Sequence, residues 1–228
     1  MKLPEWNKLP NKWIEGQGLC EFKWGKGAGA DNLAGLMVLT VILNHCAPDT
    51  GIARLTYDEL TEVTSLSRAL LARGLDVLAS SNLIERKPDG RSSYRVGNYD
   101  PNGGWAKFPA RGLYVRGRVA AFANFQLRQR AELDAMKLYF LFASRRDRQS
   151  NMALLGYDKI EEYSGVSREH IKRGLTLLGA NSLIHVEYVR NAMGNERTAS
   201  AYRLVHLHSR QHMGTSGRSA DPLEVSRA

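Results

Sequence analysis

The side chains of this chain that are best suited to chemistry are cationic and lie in short clusters. One cluster follows Ser167, where Arg168, His170, Lys172 and Arg173 lie close together. Guanidinium and ammonium groups at this density are suited to binding anions. The sequence has no Gly-rich phosphate loop, no His-Glu-x-x-His motif and no cysteine pair at metal-binding spacing. It therefore predicts a protein that is not an enzyme and that needs no cofactor or metal.

A second cationic cluster lies between residues 107 and 130, with aromatic residues interleaved and no acidic residue before Glu132. Its members are Lys107, Arg111, Arg116, Arg118, Arg128 and Arg130. Either a solvated basic face or contact with phosphate would explain such a run. Residues 101–208 hold 17 lysine and arginine residues against 9 acidic ones, whereas residues 1–100 are balanced. The net charge of +9 suits a polyanionic partner.

A thirty-residue segment occurs twice, at an offset of 100 residues and without a gap. The copies run from Leu55 to Ile84 and from Leu155 to Ile184, and 12 of the 30 positions are identical. A shorter repeat precedes each copy, because Trp6-Asn-Lys-Leu-Pro10 resembles Trp105-Ala-Lys-Phe-Pro109. An internal period of this kind indicates one architecture built twice.

The second copy has the pattern helix, turn, helix, strand. Residues 157–163 predict a short helix, and Gly165 is suited to the positive φ that ends it. Ser167 is placed to cap the next helix with its hydroxyl. Residues 183–188 alternate as a strand does, and residues 201–204 predict the returning strand.

The first copy predicts the same elements. Helices are expected over residues 56–63 and 67–79, and a strand from residue 83. Asp89-Gly90 is a hairpin signal, after which residues 93–96 predict the returning strand.

Apolar runs within residues 33–46 and 133–143 predict one further helix before each copy. These runs are apolar nearly all round, so each helix is expected to be buried on most sides. Each is either the central helix of its own domain or packed in part on the other copy or another protomer.

The repeat predicts two domains, residues 1–100 and residues 101–208, followed by a disordered tail at residues 209–228. Cys20 and Cys46 are expected to be reduced and buried. The sequence shows no signal peptide and no apolar run of membrane-spanning length, which predicts a cytoplasmic protein with no membrane contact.

The pattern Tyr-Asp-x-Leu/Ile, Leu/Val-Ser-Arg, Arg-Gly-Leu, Leu-Ile and Tyr-Arg-Val/Leu resembles the winged helix-turn-helix domains of plasmid- and phage-encoded replication and regulatory proteins. The resemblance covers roughly residues 33–97 and 133–205. It implies a mainly α fold with small β-hairpin wings, present as two tandem domains. It also implies that the second helix of each motif enters the major groove and that each hairpin contacts the backbone or the minor groove.

The resemblance and the second cationic cluster, residues 107–130, which we call the basic connector, together give a set of expected DNA-binding residues. They are Tyr57, Ser67, Arg68, Arg73, Lys87 and Arg91 in the first copy, Arg116 and Arg118 in the connector, and Tyr157, Ser167, Arg168, Glu169, His170, Lys172, Arg173, Arg190 and Arg197 in the second copy.

Three of these expectations have open alternatives. Arg168 is the best placed for a guanine contact, but a salt bridge to Glu162 or Asp158 is its structural alternative. The tyrosines at 57 and 157 and the arginines at 73 and 173 are doubled, which either shared packing or a shared phosphate contact explains.

The two copies differ on the second helix of the motif. The first copy has Ala69, Leu70 and Ala72 where the second has Glu169, His170 and Lys172. Our hypothesis is that the second copy anchors the DNA. The first copy is then a weaker reader or a dimerisation module.

The sequence therefore predicts sequence-specific binding of double-stranded DNA. The role would be transcription regulation or replication initiation of a mobile element, with a homodimer and the replication or transcription machinery as further partners. The alternative is a non-enzymatic adaptor of the chromosome-segregation type, whose winged helices contact proteins. A nuclease or recombinase is disfavoured because no carboxylate cluster for a metal is apparent.

Overall fold

The computed structural model describes residues 3–25, 27–190 and 198–207. Of the described residues, those in α-helices form seven segments: α1 Lys12–Glu15, α2 Gly29–His45, α3 Tyr57–Thr64, α4 Arg68–Ser80, α5 Arg130–Arg145, α6 Tyr157–Ser164 and α7 Arg168–Ala180. The strands are β1 Trp6–Pro10, β2 Ile52–Arg54, β3 Ile84–Arg86, β4 Ser93–Val96, β5 Trp105–Pro109, β6 Tyr114–Val115, β7 Arg118–Val119, β8 Met152–Leu154, β9 Ile184–Arg190 and β10 Thr198–Leu204. Arg197 and the tail at residues 209–228 lie outside the described residues.

The two halves of the chain have the same order of elements. Each half has a long helix, a short strand, two further helices and a strand pair, and its three strands form one antiparallel sheet. The sheet orders are β2-β4-β3 and β8-β10-β9. The fold is therefore a mixed one in which helices dominate and the sheets are small and antiparallel. The helices expected in each copy are present, and the three-residue strands β2 and β8 were not predicted.

Helix ends follow the local sequence, with one exception. Thr56 and Glu59 form a capping box at α3, and the Ser67 hydroxyl accepts a hydrogen bond from Leu70 N. Gly165 ends α6 with a φ of 64°, as predicted. Ser167 is the N-cap residue of α7, as predicted, but the expected bond from its hydroxyl was wrong, because the hydroxyl accepts no backbone N–H and lies 3.5 Å from a Glu169 carboxylate oxygen.

The long helices α2 and α5 lie at the centre of the molecule. Residues 33–44 and 132–144 are buried without interruption, as their apolar sequences predicted. The two helices also pack against each other. Both expected explanations therefore hold, since each helix is central to its own half and also contacts the other half. The buried apolar side chains form one continuous cluster across both halves.

A pseudo-two-fold arrangement joins the halves. Strands β1 and β5 pair antiparallel, so that Trp6 faces Pro109, Pro10 faces Trp105 and Lys8 faces Lys107. The Trp6 and Trp105 rings stack at 5.7 Å. Lys8 lies over the ring of Trp105, and Lys107 lies over that of Trp6. Reciprocal contacts between equivalent residues are the property of an isologous interface. The two halves therefore meet as the subunits of a dimer would.

The segment that follows each of these strands crosses to the opposite half. After β1, Trp13 packs edge-on against Phe140 of α5 at 5.9 Å, and the Cys20 thiol lies 3.6 Å from the Glu162 carbonyl of α6. After β5, β7 packs against α3, and Tyr114 packs against His45 at the end of α2. The sequence boundary at residue 100 therefore separates the repeats but does not separate their packing. Cys46 is buried as expected, whereas Cys20 is only partly buried, and both thiols are free.

Helix α5 buries two ionisable side chains where α2 has Ala34 and Met37. Lys137 donates a hydrogen bond to the Phe22 carbonyl at 3.0 Å, which ties the crossing segment to α5. Burial lowers the pKa of Lys137 to about 8. Burial also raises the pKa of Asp134, whose carboxylate lies 3.4 Å from Arg130. The charges that α5 carries inside the core therefore cost folding free energy.

The glycine that both copies share, Gly74 and Gly174, lies where the last helix of the motif crosses the long helix. A Cβ on Gly74 would lie 2.9 Å from the backbone of Ala34 and Gly35. A Cβ on Gly174 would lie closest to the end of the Leu138 side chain, at 2.8 Å. The close approach is therefore rigid in the first half and adjustable in the second. Among the described residues, no helix is both long and apolar enough to cross a membrane.

We expect Gly74→Ala to destabilise the protein by about 1–3 kcal/mol, because backbone atoms must move to accept the methyl group. Gly174→Ala should be close to neutral, because the Leu138 side chain can rotate away and alanine favours the helix by about 1 kcal/mol. Urea unfolding of the two variants measures the difference. Equal losses of stability would contradict the rigid contact at Gly74.

The titration of Lys137 gives a second prediction. Its pKa is lower in the folded than in the unfolded protein, so its charge opposes folding below about pH 8, and this cost disappears as the pH rises towards about 10.4. The stability of the wild type relative to Lys137→Met should therefore increase between pH 7.5 and pH 10, by an amount on the order of 1–3 kcal/mol. Denaturant unfolding of both proteins at the two pH values measures this change. A difference that is the same at both values would show that Lys137 is not buried in its charged form.

Candidate nucleic-acid interface

The outer face of α7 carries the charged side chains that the sequence singled out. Arg168, Glu169, Lys172 and Arg173 are exposed. The opposite face of the helix is buried against α5 through Ile171, Gly174 and Leu178. His170 is half-buried, and its ring lies 3.4 Å from the Glu169 carboxylate. The packed inner face fixes the direction in which the outer side chains project.

Arg168 forms an ion pair with Asp158 of α6, at 3.0 Å. The first copy has the equivalent pair, between Arg68 and Asp58. The salt bridge that was the alternative to a guanine contact for Arg168 is therefore present, with Asp158 rather than Glu162 as the partner. All four side chains are well exposed, so each pair adds little to stability. The pair holds both arginines on the outer surface, between the two helices of the motif.

Lys172 and Arg173 carry the charge on α7 that is left unbalanced. Neither forms an ion pair with any residue that the structure describes. The matching Arg73 of α4 is bonded through Nε to Asp31, at 2.7 Å. This partner lies in the first turn of α2, and Ala131 occupies its position in α5. One substitution between the repeats therefore leaves the Arg173 guanidinium without an ion pair among the described residues.

The cations of the first half are mostly neutralised. On its sheet and helices, ion pairs join Arg54 to Asp89, Arg86 to Asp76 and Arg95 to Glu85. Lys87 and Arg91, in the β3–β4 turn, are exposed or partly exposed and form no ion pair within the described part of the chain. The α4 surface is thus nearly neutral.

Tyr57 and Tyr157 are the first residues of α3 and α6. Both rings are partly buried against the hydrophobic core, so shared packing accounts for their recurrence. Their position at the start of a helix also places them beside free backbone N–H groups.

The β9–β10 hairpin of the second half is longer than its counterpart and exposes two apolar side chains. Val186 is 40% and Tyr188 70% exposed. Val186 is paired with the buried Tyr202, and Tyr188 with Ser200, so both lie on the inner face of the sheet beyond the point where the core ends. Tyr188 was not among the predicted site residues, although the alternation from Ile184 to Tyr188 indicates this face. Arg190 continues β9, but its side chain is not among those described.

The cations of the basic connector differ in their surroundings. Lys107 lies over Trp6 in the β1–β5 pair, and Arg130 is paired with Asp134 inside the first turn of α5. Arg116 and Arg118 lie in the β6–β7 hairpin, where both are exposed. Both explanations of the cationic run, a solvated basic face and contact with phosphate, therefore stay open for its exposed members.

Comparison with protein-family models found no match, and a search of curated proteins found none similar to this chain.

We expect Arg73→Ala to destabilise the protein by about 0.5–1 kcal/mol, because it leaves the half-buried Asp31 carboxylate without its partner. Arg173→Ala should leave stability unchanged within error, since its guanidinium has no ion pair among the described residues. Thermal unfolding of the two variants, with the wild type alongside, makes the comparison. A larger loss of stability in Arg173→Ala would mean that this side chain is part of the scaffold.

Proposed function

We propose that the chain binds double-stranded DNA sequence-specifically through two winged helices, and that it regulates transcription or initiates replication of a mobile element. In this proposal each half is one winged helix. The order helix, strand, helix, helix, strand, strand supports this, with the returning strand in the middle of a three-stranded sheet. The α3–α4 and α6–α7 pairs are then the helix-turn-helix motifs.

The observation that carries the proposal is the outer face of α7. Lys172 and Arg173 project from a helix whose inner face is fixed, and no carboxylate among the described residues neutralises them. Arg168 and Glu169 lie at the start of the same helix, where a helix in the major groove meets base edges. Cations with no internal partner are suited to phosphate, and the N-terminal side chains are suited to reading bases.

The pseudo-two-fold relation supports a specific form of DNA site. In a symmetric dimer, each recognition helix reads one half of an inverted repeat. Here the two helices belong to one chain, held by the β1–β5 pair. A single chain should therefore occupy two inverted half-sites, with unequal sequences because α4 and α7 carry different side chains.

The nearly neutral α4 surface favours a weaker role for the first half. Alanines at positions 69 and 72 can meet thymine methyl groups, but they add no attraction to phosphate. The same surface also suits a protein contact, which keeps the adaptor function as the second candidate.

We expect the double variant Lys172→Ala/Arg173→Ala to bind a selected duplex about 10- to 100-fold more weakly and to have a shallower salt dependence, by about one unit of slope for each phosphate that it no longer neutralises. The matched variant is Arg73→Ala, which should lower affinity by less than about threefold because its charge is already paired with Asp31. Sites are first selected from a random duplex pool at fixed salt, and affinity is then measured by fluorescence anisotropy.

Two outcomes would count against the proposal. Equal losses of affinity in the two variants would remove the asymmetry between the halves. Failure to enrich any duplex, together with a flat salt response, would remove DNA binding itself and favour the adaptor.

A further inference from the structure

The β6–β7 hairpin is a rigid projection that neither winged helix requires. Its two central residues have positive φ, 50° at Arg116 and 81° at Gly117. This is the conformation of a two-residue turn whose twist matches the flanking strands. The hairpin thus places Arg116, Gly117 and Arg118 consecutively at and beside its tip.

The base of the hairpin is anchored in the first half. Leu113 and Val119 are buried. Asn44 donates a hydrogen bond to the Tyr114 hydroxyl at 3.4 Å, and the ring packs against His45 at 5.8 Å. Burial raises the pKa of Tyr114. Strand β7 lies against α3, so the tip is held in a fixed place beside the first helix-turn-helix motif.

The tip itself is exposed and cationic. Arg116, Gly117 and Arg118 are exposed, and Val115 is 59% exposed. Neither arginine side chain forms an ion pair or hydrogen bond with any residue in the described part of the chain. The adjacent helix α3 offers three carboxylates at its surface, two of them Asp58 and Glu59, yet the arginines pair with none. Their charge therefore remains available to an external partner.

Two arginines on either side of an exposed glycine have the right chemistry for the minor groove of DNA. The glycine lets the backbone approach closely, and the guanidinium groups reach the acceptor atoms on the groove floor. An A/T-rich minor groove is narrow, has a more negative potential and lacks the guanine amino group. Arginine insertion is a common use of such a groove. The hairpin tip exposes one large apolar side chain, Val115, and one such side chain does not form the apolar centre that a protein interface has.

We propose that the Arg116-Gly117-Arg118 tip inserts into the minor groove of an A/T-rich segment beside the half-site of α4. This inference rests on the proposed DNA binding and deepens it. The hairpin comes from the second half of the sequence but is anchored on the first. It gives the α3–α4 motif the cationic contact that its own paired arginines do not supply.

The test uses the full chain and three versions of a selected duplex, which differ only beside the α4 half-site. The flank is A·T, G·C or inosine·C, since inosine lacks the minor-groove amino group but keeps the major-groove edge of guanine. The wild type should bind the A·T and inosine·C flanks about 5- to 20-fold more tightly than the G·C flank.

The variant Arg116→Ala/Arg118→Ala should bind all three duplexes equally, at the level of the wild type on the G·C flank. Arg128→Ala/Arg148→Ala removes the same charge from two exposed positions outside the hairpin. It should weaken binding, if at all, by the same factor on each flank. Unfolding midpoints of both variants should match the wild type, because all four side chains are at the surface.

The inference is overturned if the wild type has no preference among flanks, or if the hairpin variant keeps that preference. It is also overturned if the hairpin variant binds every duplex as the wild type does, the result expected if the tip contacts a protein instead. These outcomes are separable from failure of the proposed function, because Lys172→Ala/Arg173→Ala on the same duplexes reports the α7 contact independently.

Discussion

The structure depends on the antiparallel pairing of two copies of one short strand. Strands β1 and β5 derive from the same repeat, and each is the other's partner. Lys8 and Lys107 face each other at the centre and are accommodated because each ammonium lies over a tryptophan ring of the opposite copy. Contacts of this kind attract a cation to the face of the ring and compensate for the proximity of like charges. Without this pairing, neither crossing segment would start in the position from which it reaches the other half.

The crossing segments make the two halves mutually dependent. Trp13 and Phe22 complete the core beside α5, whereas Tyr114 completes it beside α2 and the buried Val119 beside α3. Each helix-turn-helix pair thus rests on a surface to which the other half contributes. Their relative orientation follows from packing rather than from a linker. The proposed reading of two half-sites at a fixed spacing needs this rigidity, because a flexible linker would lower the affinity by the entropy lost on ordering the second contact.

The local elements could be predicted from the sequence, whereas their assembly could not. The helix-turn-helix segments, the burial of α2 and α5 and the glycine that ends α6 all follow from patterns within a few residues. A repeat shows that Trp6 and Trp105 are equivalent, but not that they stack on each other. A repeat also cannot show which half each crossing segment covers, because both choices bury similar apolar side chains. The burial of Lys137 could not be predicted for a related reason, since the carbonyl that accepts its hydrogen bond belongs to a residue 115 positions away.

The two halves differ in charge through a small number of changes on a shared scaffold. The ion pair between the first residue of the second helix and the aspartate at position 58 or 158 is kept in both halves, so it belongs to the scaffold. Asp31 is what differs, because it neutralises Arg73, whereas the equivalent Ala131 leaves Arg173 without a partner among the described residues. An exposed ion pair is worth little to folding, so such a change costs little stability. It nevertheless decides whether a guanidinium is neutralised within the fold, and under the proposed function a duplicated fold can in this way separate reading from anchoring without altering its core.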